Sequence, residues 1–221
     1  MQLELDRITK EYNGNRPVLD NITLTIQEGS SMAIVGPSGS GKSTLLNMMG
    51  TLDFPSSGEV KINGKSTREL QVNELNELRN KKIGFVFQTH LLLPQLTTLE
   101  NVLLPVIPRD KSYQKLAPQR AMQLLEIVGL SDKINRLPGE MSVGECQRVA
   151  VVRALINEPE LLLTDEPTGS LDHDSALLLG DMLIRLRNES RFTLITVTHS
   201  ADLAGLMDKT YKLVNGKITE N

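Results

Sequence analysis

The sequence predicts an α/β domain with a mainly parallel core sheet, an antiparallel β region at its N-terminus and a helical insertion. Three observations carry this. Ser31–Val35 and residues 160–164 and 193–198 are apolar, β-rich runs. Helical sequence over 175–188 separates the last two, and strand, helix, strand with continuously apolar strands calls for a parallel sheet covered on both faces. Residues 90–155, by contrast, read as mainly helical.

The N-terminal sixty residues read as strands. Leu3 and Leu5, and then Ile22, Leu24 and Ile26, alternate with polar neighbours at the period of a half-buried strand. Residues 59–62 run into Asn63-Gly64, a hairpin signal because both positions tolerate positive φ. A second pair, Asn215-Gly216, predicts a hairpin between 211–214 and 217–219. In the insertion, Leu116, Arg120, Leu124 and Val128 are expected on one side of a helix that Gly129 stops.

Composition narrows the function. With 221 residues and 39% hydrophobic content, the chain supports one packed domain of residues 1–221, with a lobe of roughly 90–155 inserted in it. A net charge of −3 and 3% aromatics without Trp argue against a nucleic-acid partner. Cys146 stands alone, so no intramolecular disulfide forms, which suits a reducing compartment. The opening residues lack a signal peptide's apolar core, and no stretch approaches the roughly 20 apolar residues of a membrane helix. The expectation is a cytoplasmic chain that works at a membrane, if at all, from outside the lipid.

Gly36-Pro37-Ser38-Gly39-Ser40-Gly41-Lys42-Ser43-Thr44 fills every fixed position of the P-loop pattern, between a buried strand and a helix over Lys42–Met49. Its glycines let backbone N–H groups turn inward around phosphate oxygens at a helix N-terminus, whose partial positive charge favours an anion. Lys42 is expected on the β- and γ-phosphates, Ser43 on Mg²⁺, and Thr44 as a further phosphate contact. Two adjacent acids, Asp165 and Glu166, follow a buried strand. Ionised carboxylates resist burial unless paired, so the strand end is expected to face a metal and a reacting water. Asp165 then serves Mg²⁺ and Glu166 the water. In a parallel sheet all C-terminal strand ends share one edge, so Lys42, Asp165, Glu166 and His199 should converge there.

Ser142-x-x-Glu145 is a capping box that opens a helix to about Leu155, and Ser142 and Gly144 also make that helix start a good anion site. The surrounding 141–150, Met-Ser-Val-Gly-Glu-Cys-Gln-Arg-Val-Ala, resembles the signature motif of ABC ATPases. It falls between the P-loop and 161–167, which resembles Walker B. Gln88, after Gly84-Phe85-Val86-Phe87, is similar to the family's Q-loop glutamine, a sensor near Mg²⁺ and the attacking water. Ser170-Leu171-Asp172 resembles the D-loop, His199 the switch histidine, and Tyr12 the aromatic that stacks on adenine. The resemblance implies an ATPase working as a head-to-tail homodimer, with ATP between the P-loop of one copy and Ser142 and Gly144 of the other. Val143 replaces a glycine usual in the family, and its branched bulk implies a retained but slower ATPase.

Within the family the chain most resembles the lipoprotein-releasing, macrolide-exporter and cell-division group. The stretches that carry this are Thr51-Leu52-Asp53 through Ser57-Gly58-Glu59-Val60, Leu78-Arg79-Asn80 with 83–88, and Leu92-Leu93-Pro94 with Leu99-Glu100-Asn101-Val102. The group implies a separate integral membrane permease held at the cytoplasmic face. It also implies either an extrusion motor or a regulatory module that activates an extracytoplasmic enzyme. Residues 91–99 are equally readable as the permease docking wall and as core of the insertion.

Overall fold

The computed structural model describes residues 1–12 and 17–220. The chain begins with β1 (Leu3–Lys10), β2 (Leu19–Ile26), β3 (Ser31–Val35), α1 (Lys42–Met49), β4 (Ser57–Ile62) and β5 (Lys65–Ser66). It continues through α2 (Val72–Lys82), β6 (Ile83–Val86), α3 (Thr98–Leu103), α4 (Lys111–Ile127) and α5 (Val143–Leu155). Then come β7 (Leu161–Asp165), α6 (His173–Ser190), β8 (Thr193–Val197), α7 (Ala201–Gly205), β9 (Lys209–Val214) and β10 (Lys217–Glu220).

Two sheets form. The first, ordered β2-β1-β4-β5, is antiparallel throughout. The second is ordered β10-β9-β3-β8-β7-β6, and β9, β3, β8, β7 and β6 are all parallel, with β10 antiparallel at one edge. Both Asn-Gly pairs turn hairpins as expected: Asn63 and Gly64 have φ of 50° and 77°, and Asn215 and Gly216 have the same values. Positive φ at both central residues gives the twist that matches paired strands.

Alternation along the parallel strands divides the core. Met32, Ile34, Leu161, Leu163, Ile195 and Val197 face the antiparallel sheet. Ala33, Leu162 and Leu194 face the helical layer, where buried residues of α4, α5 and α6 meet. α1 lies between the two sheets with Leu45, Leu46, Met48 and Met49 all fully buried. An eight-residue helix is marginal alone, so this enclosure stabilises it and holds the loop before it.

Two elements carry no strong signal in the sequence. α2 buries only Leu75, so no apolar stripe marks it, although the Gln71 N–H donates to the Glu74 carboxylate at its start at 2.7 Å. β6 is four residues long and contributes one edge of the sheet. In α4 the residues read on one side of the helix differ in burial. Leu124 and Val128 are buried, but Leu116 is exposed, and the stripe runs instead through Ala117, Ala121, Leu124 and Leu125. The small alanines allow close packing, while Arg120 turns to the carbonyls of Leu155 and Ile156. The helix does stop at Gly129, whose φ is 72°.

Segment 91–99 divides between the two readings offered for it. Leu92 is buried, whereas Leu91 and Leu93 are 55% and 40% exposed. Fully buried Asn101 ties the segment down: its Nδ2 donates to the carbonyls of Leu93, Leu96 and Thr97, and its Oδ1 accepts from the Leu93 N–H. Asn101→Ala should cost about 2 kcal/mol, because three partly buried carbonyls and an N–H lose their partner. Urea unfolding measures the loss, and faster amide exchange at Leu93 localises it.

Candidate functional site

The phosphate loop joins β3 to α1 as the sequence predicts. At Gly36 a Cβ would stand 2.2 Å from the Leu213 carbonyl oxygen, so only glycine lets the loop leave β3 beside β9. Gly41 caps α1 with φ of 99°, and a Cβ there would press on Val18 and Leu19 at about 3 Å. Lys42 is 9% exposed, and its ammonium curls into the loop, donating to the carbonyls of Gly36 (2.9 Å) and Pro37 (3.1 Å). The Ser40 hydroxyl is buried without a protein partner. A polar atom in that state fits a loop built to receive phosphate oxygens. A cleft of about 330 Å³ opens over Pro37, Ser38, Gly39 and Ser40, walled by Pro17, Val18, Asn215 and Gly216. Those four wall residues were not legible as site residues. The Gly216 carbonyl accepts from the Asp20 N–H at 2.8 Å, which brings the C-terminal turn to the loop.

The carboxylates arrive on β7, two strands from the loop. Asp165 is the last residue of that strand and faces the Ser43 side chain, whose interaction favours the ionised carboxyl. Burial pushes its carboxyl above the ordinary range, with Glu166 adding to the rise, while Ser43 and Lys42 oppose it. An acid desolvated beside a hydroxyl fits a site for Mg²⁺, which takes one or two carboxylates and otherwise relies on substrate phosphates. Among the described residues there is no cluster of three or more acidic, His or Cys side chains that would hold a metal unaided.

Glu166 has φ of 47°, a conformation rarely adopted outside glycine and Asn. Its N–H donates to the Val197 carbonyl at 2.8 Å, which holds the turn against β8. Its carboxylate accepts from the backbone N–H of His199 at 3.1 Å, and His199 Nδ1 lies 2.8 Å from the same oxygen. The histidine ring is mostly exposed and the glutamate is not. Gln88 follows β6, and its Nε2 lies 3.2 Å from where a Cβ on Gly169 would stand, while its carbonyl accepts from the Ser170 hydroxyl. Lys42, Ser43, Gln88, Asp165, Glu166 and His199 therefore all sit at the C-terminal edge of the parallel strands.

Other predicted residues lie apart from this group. Ser142 caps α5: its Oγ accepts from the Glu145 N–H, and Glu145 returns the bond to the Ser142 N–H at 2.8 Å. A Cβ on Gly144 would meet Ser175 of α6 at 3.5 Å, not the phosphate loop. Asp172 caps α6 and accepts from the Ser175 N–H at 3.0 Å; its bonds with Ser175 lower its carboxyl. Val143 opens α5 with half its surface exposed. Fully buried Gln147 donates to the Phe87 carbonyl at 2.8 Å, so α5 is tied to the segment carrying Gln88, a link with no signal in the sequence. Tyr12 does not line the cleft; its hydroxyl donates to Asp53 at 2.9 Å.

A glycine-wrapped anion cradle at the end of a parallel sheet, facing an acid pair, defines a P-loop nucleotide-binding domain. Residues 19–169 match the ABC transporter family, and the chain belongs to that family. A lipoprotein-releasing system ATP-binding protein LolD from Bacteroides fragilis (strain YCH46) is 46% identical over 216 residues, covering 98% of this chain and 99% of its own. A protein of the same name from Aquifex aeolicus (strain VF5) is 44% identical, covering 98% and 95%. Among solved structures, the ATP-binding cassette MJ0796, described as a dimeric post-hydrolysis state bound to ADP and Pi, superposes with a TM-score of 0.87. It is 38% identical and covers 99% of this chain and 97% of its own.

Proposed function

We propose that this ABC ATPase drives a separate membrane permease of the lipoprotein-releasing type from the cytoplasmic face of a membrane. The observation that carries the chemistry is the meeting of two pairs, Ser43 with Asp165 and Glu166 with His199, at the mouth of the phosphate loop. Among the described residues no helix is long and apolar enough to cross a membrane, and this reading places the permease on another chain. Residues 90–155 form the helical lobe inserted in the catalytic core, and Leu91 and Leu93 offer exposed apolar surface for the permease.

In this mechanism the amides of residues 36–44, Lys42 and Thr44 hold the triphosphate and stabilise charge developing on it. Mg²⁺ supplies neutralisation of the phosphate oxygens when bound, with Ser43, Asp165 and Gln88 as its protein side. Glu166 orients the attacking water and takes its proton, and His199, steadied by that carboxylate, contacts the terminal phosphate. Tyr12 stacks on the adenine. Ser142, Gly144 and Asp172 act on the nucleotide of a second copy in a head-to-tail homodimer.

Val143 lies at the surface that meets that nucleotide. Its branched side chain stiffens the first turn of α5 and adds bulk. Val143→Gly should raise ATP turnover by about threefold, equivalent to well under one tenfold step in the barrier. Phosphate release and ATP-driven dimerisation measure it, and unchanged values would remove the residue from the site. The function itself is tested by reconstituting the chain with its co-purified permease in vesicles. ATP-dependent release of a lipoprotein supports the reading; ATP hydrolysis with no membrane protein bound at any stage contradicts it.

A further inference from the structure

Asp53 lies beyond the phosphate loop and outside the roles assigned above, yet its carboxylate gathers two functional neighbours. Oδ1 accepts from the Lys10 ammonium at 2.6 Å, and Oδ2 accepts from the Tyr12 hydroxyl at 2.9 Å. Lys10 is itself nearly buried and also donates to the Phe54 carbonyl at 2.8 Å. From there its ammonium stands 4.9 Å from the centre of the Tyr12 ring, within cation–π range. Tyr12 is thus held at its hydroxyl and over one face, while 46% of its surface is exposed.

We propose that Lys10 and Asp53 form a clamp that positions Tyr12 for stacking on the purine base of the nucleotide, with Asp53 as a positioning residue for base recognition. The inference rests on the reading of Tyr12 as the base-stacking aromatic and adds how that ring is aimed.

The clamp is fixed to the same helix as the phosphate loop. α1 starts at that loop, and just past its end the N–H groups of Leu52 and Asp53 donate to the Asn47 carbonyl at 2.8 and 3.3 Å. Eight helical residues rise about 12 Å, so phosphate cradle and aromatic clamp are opposite ends of one short rod. From the other side, the Lys10 carbonyl accepts from the Val18 N–H at 2.8 Å, and Val18 packs on Gly41. The acid is kept in its acceptor form. Burial raises its pKa, but the bonds from Lys10, Tyr12 and Phe54 outweigh this and hold the carboxyl below the ordinary range. With Lys10 on one face, the exposed part of the ring is available to a flat base, a contact that tolerates any purine.

Calorimetry on the full chain with MgATP and with inorganic tripolyphosphate, which lacks a base, tests this. In Asp53→Asn a single amide oxygen replaces the two that Lys10 and Tyr12 require, and Tyr12→Phe removes the hydroxyl alone. Each should weaken MgATP binding by about fivefold to tenfold, the lower part of the range for base–aromatic stacking, and leave tripolyphosphate binding unchanged. The double variant should lose little more than either single one, because both break the same contact. Tyr12→Leu should weaken MgATP binding further. If Asp53→Asn lowers both affinities equally, Asp53 is structural and the clamp is overturned. If Tyr12→Leu weakens MgATP binding but Asp53→Asn and Tyr12→Phe do not, stacking stands and the clamp falls. If Tyr12→Leu leaves MgATP binding unchanged, the stacking reading fails and takes the clamp with it.

Discussion

Glu166→Gln should bind MgATP as tightly as the native chain while its turnover falls by roughly a thousandfold, within the range for loss of a general base. The amide keeps the shape of the carboxylate and an oxygen to accept the His199 N–H, now 3.1 Å from Glu166 Oε2. It cannot take a proton from water. Binding depends on Lys42 and the loop amides, which the substitution leaves alone, so affinity and chemistry should separate cleanly. With hydrolysis blocked, the proposed ATP-bound head-to-tail dimer should persist and elute at twice the monomer mass. Calorimetry, phosphate release and size-exclusion chromatography read the three quantities. Native turnover in the variant would strip Glu166 of its role and leave the strained φ at that position without a chemical purpose.

Lys42→Ala should act on the other half of the cycle. The ammonium is held in the loop by two carbonyls and surrounded by protein, so it meets a phosphate with little competing water. A charge-assisted hydrogen bond of this kind is worth about 1.5–3 kcal/mol, and its loss weakens MgATP binding about tenfold to a hundredfold. The effect on folding should be small, since Lys42 makes no ion pair with an acidic residue among the described contacts and Leu45, Leu46, Met48 and Met49 anchor α1. Equal thermal stability with weakened nucleotide affinity is the expected pair of results. Unchanged affinity would contradict the loop assignment.

Much of the site was legible because its signals are local. The loop's glycines, the Ser142–Glu145 capping box and the two Asn-Gly turns each act over about four residues, and each produces its structure as expected. Where a local signal was weak, the reading weakened with it. α2 buries one leucine and gives no periodicity, and Leu116 shares a side of its helix with Leu124 but is exposed, because spacing alone does not say which positions of a helix another element covers.

By itself the sequence determined a nucleotide-binding α/β domain, most of its strands and hairpins, and which residue types stand at the strand ends. Backbone preferences and side-chain periodicity suffice for those, since both operate between near neighbours. Only the tertiary structure decided which of these residues touch. Ser43 reaches Asp165, Glu166 receives His199 and Tyr12 is tied to Asp53 because the order β3-β8-β7-β6 and the enclosed helix α1 bring distant segments together. Those contacts arise from burying apolar faces across the whole domain, a long-range balance that no short stretch of sequence contains.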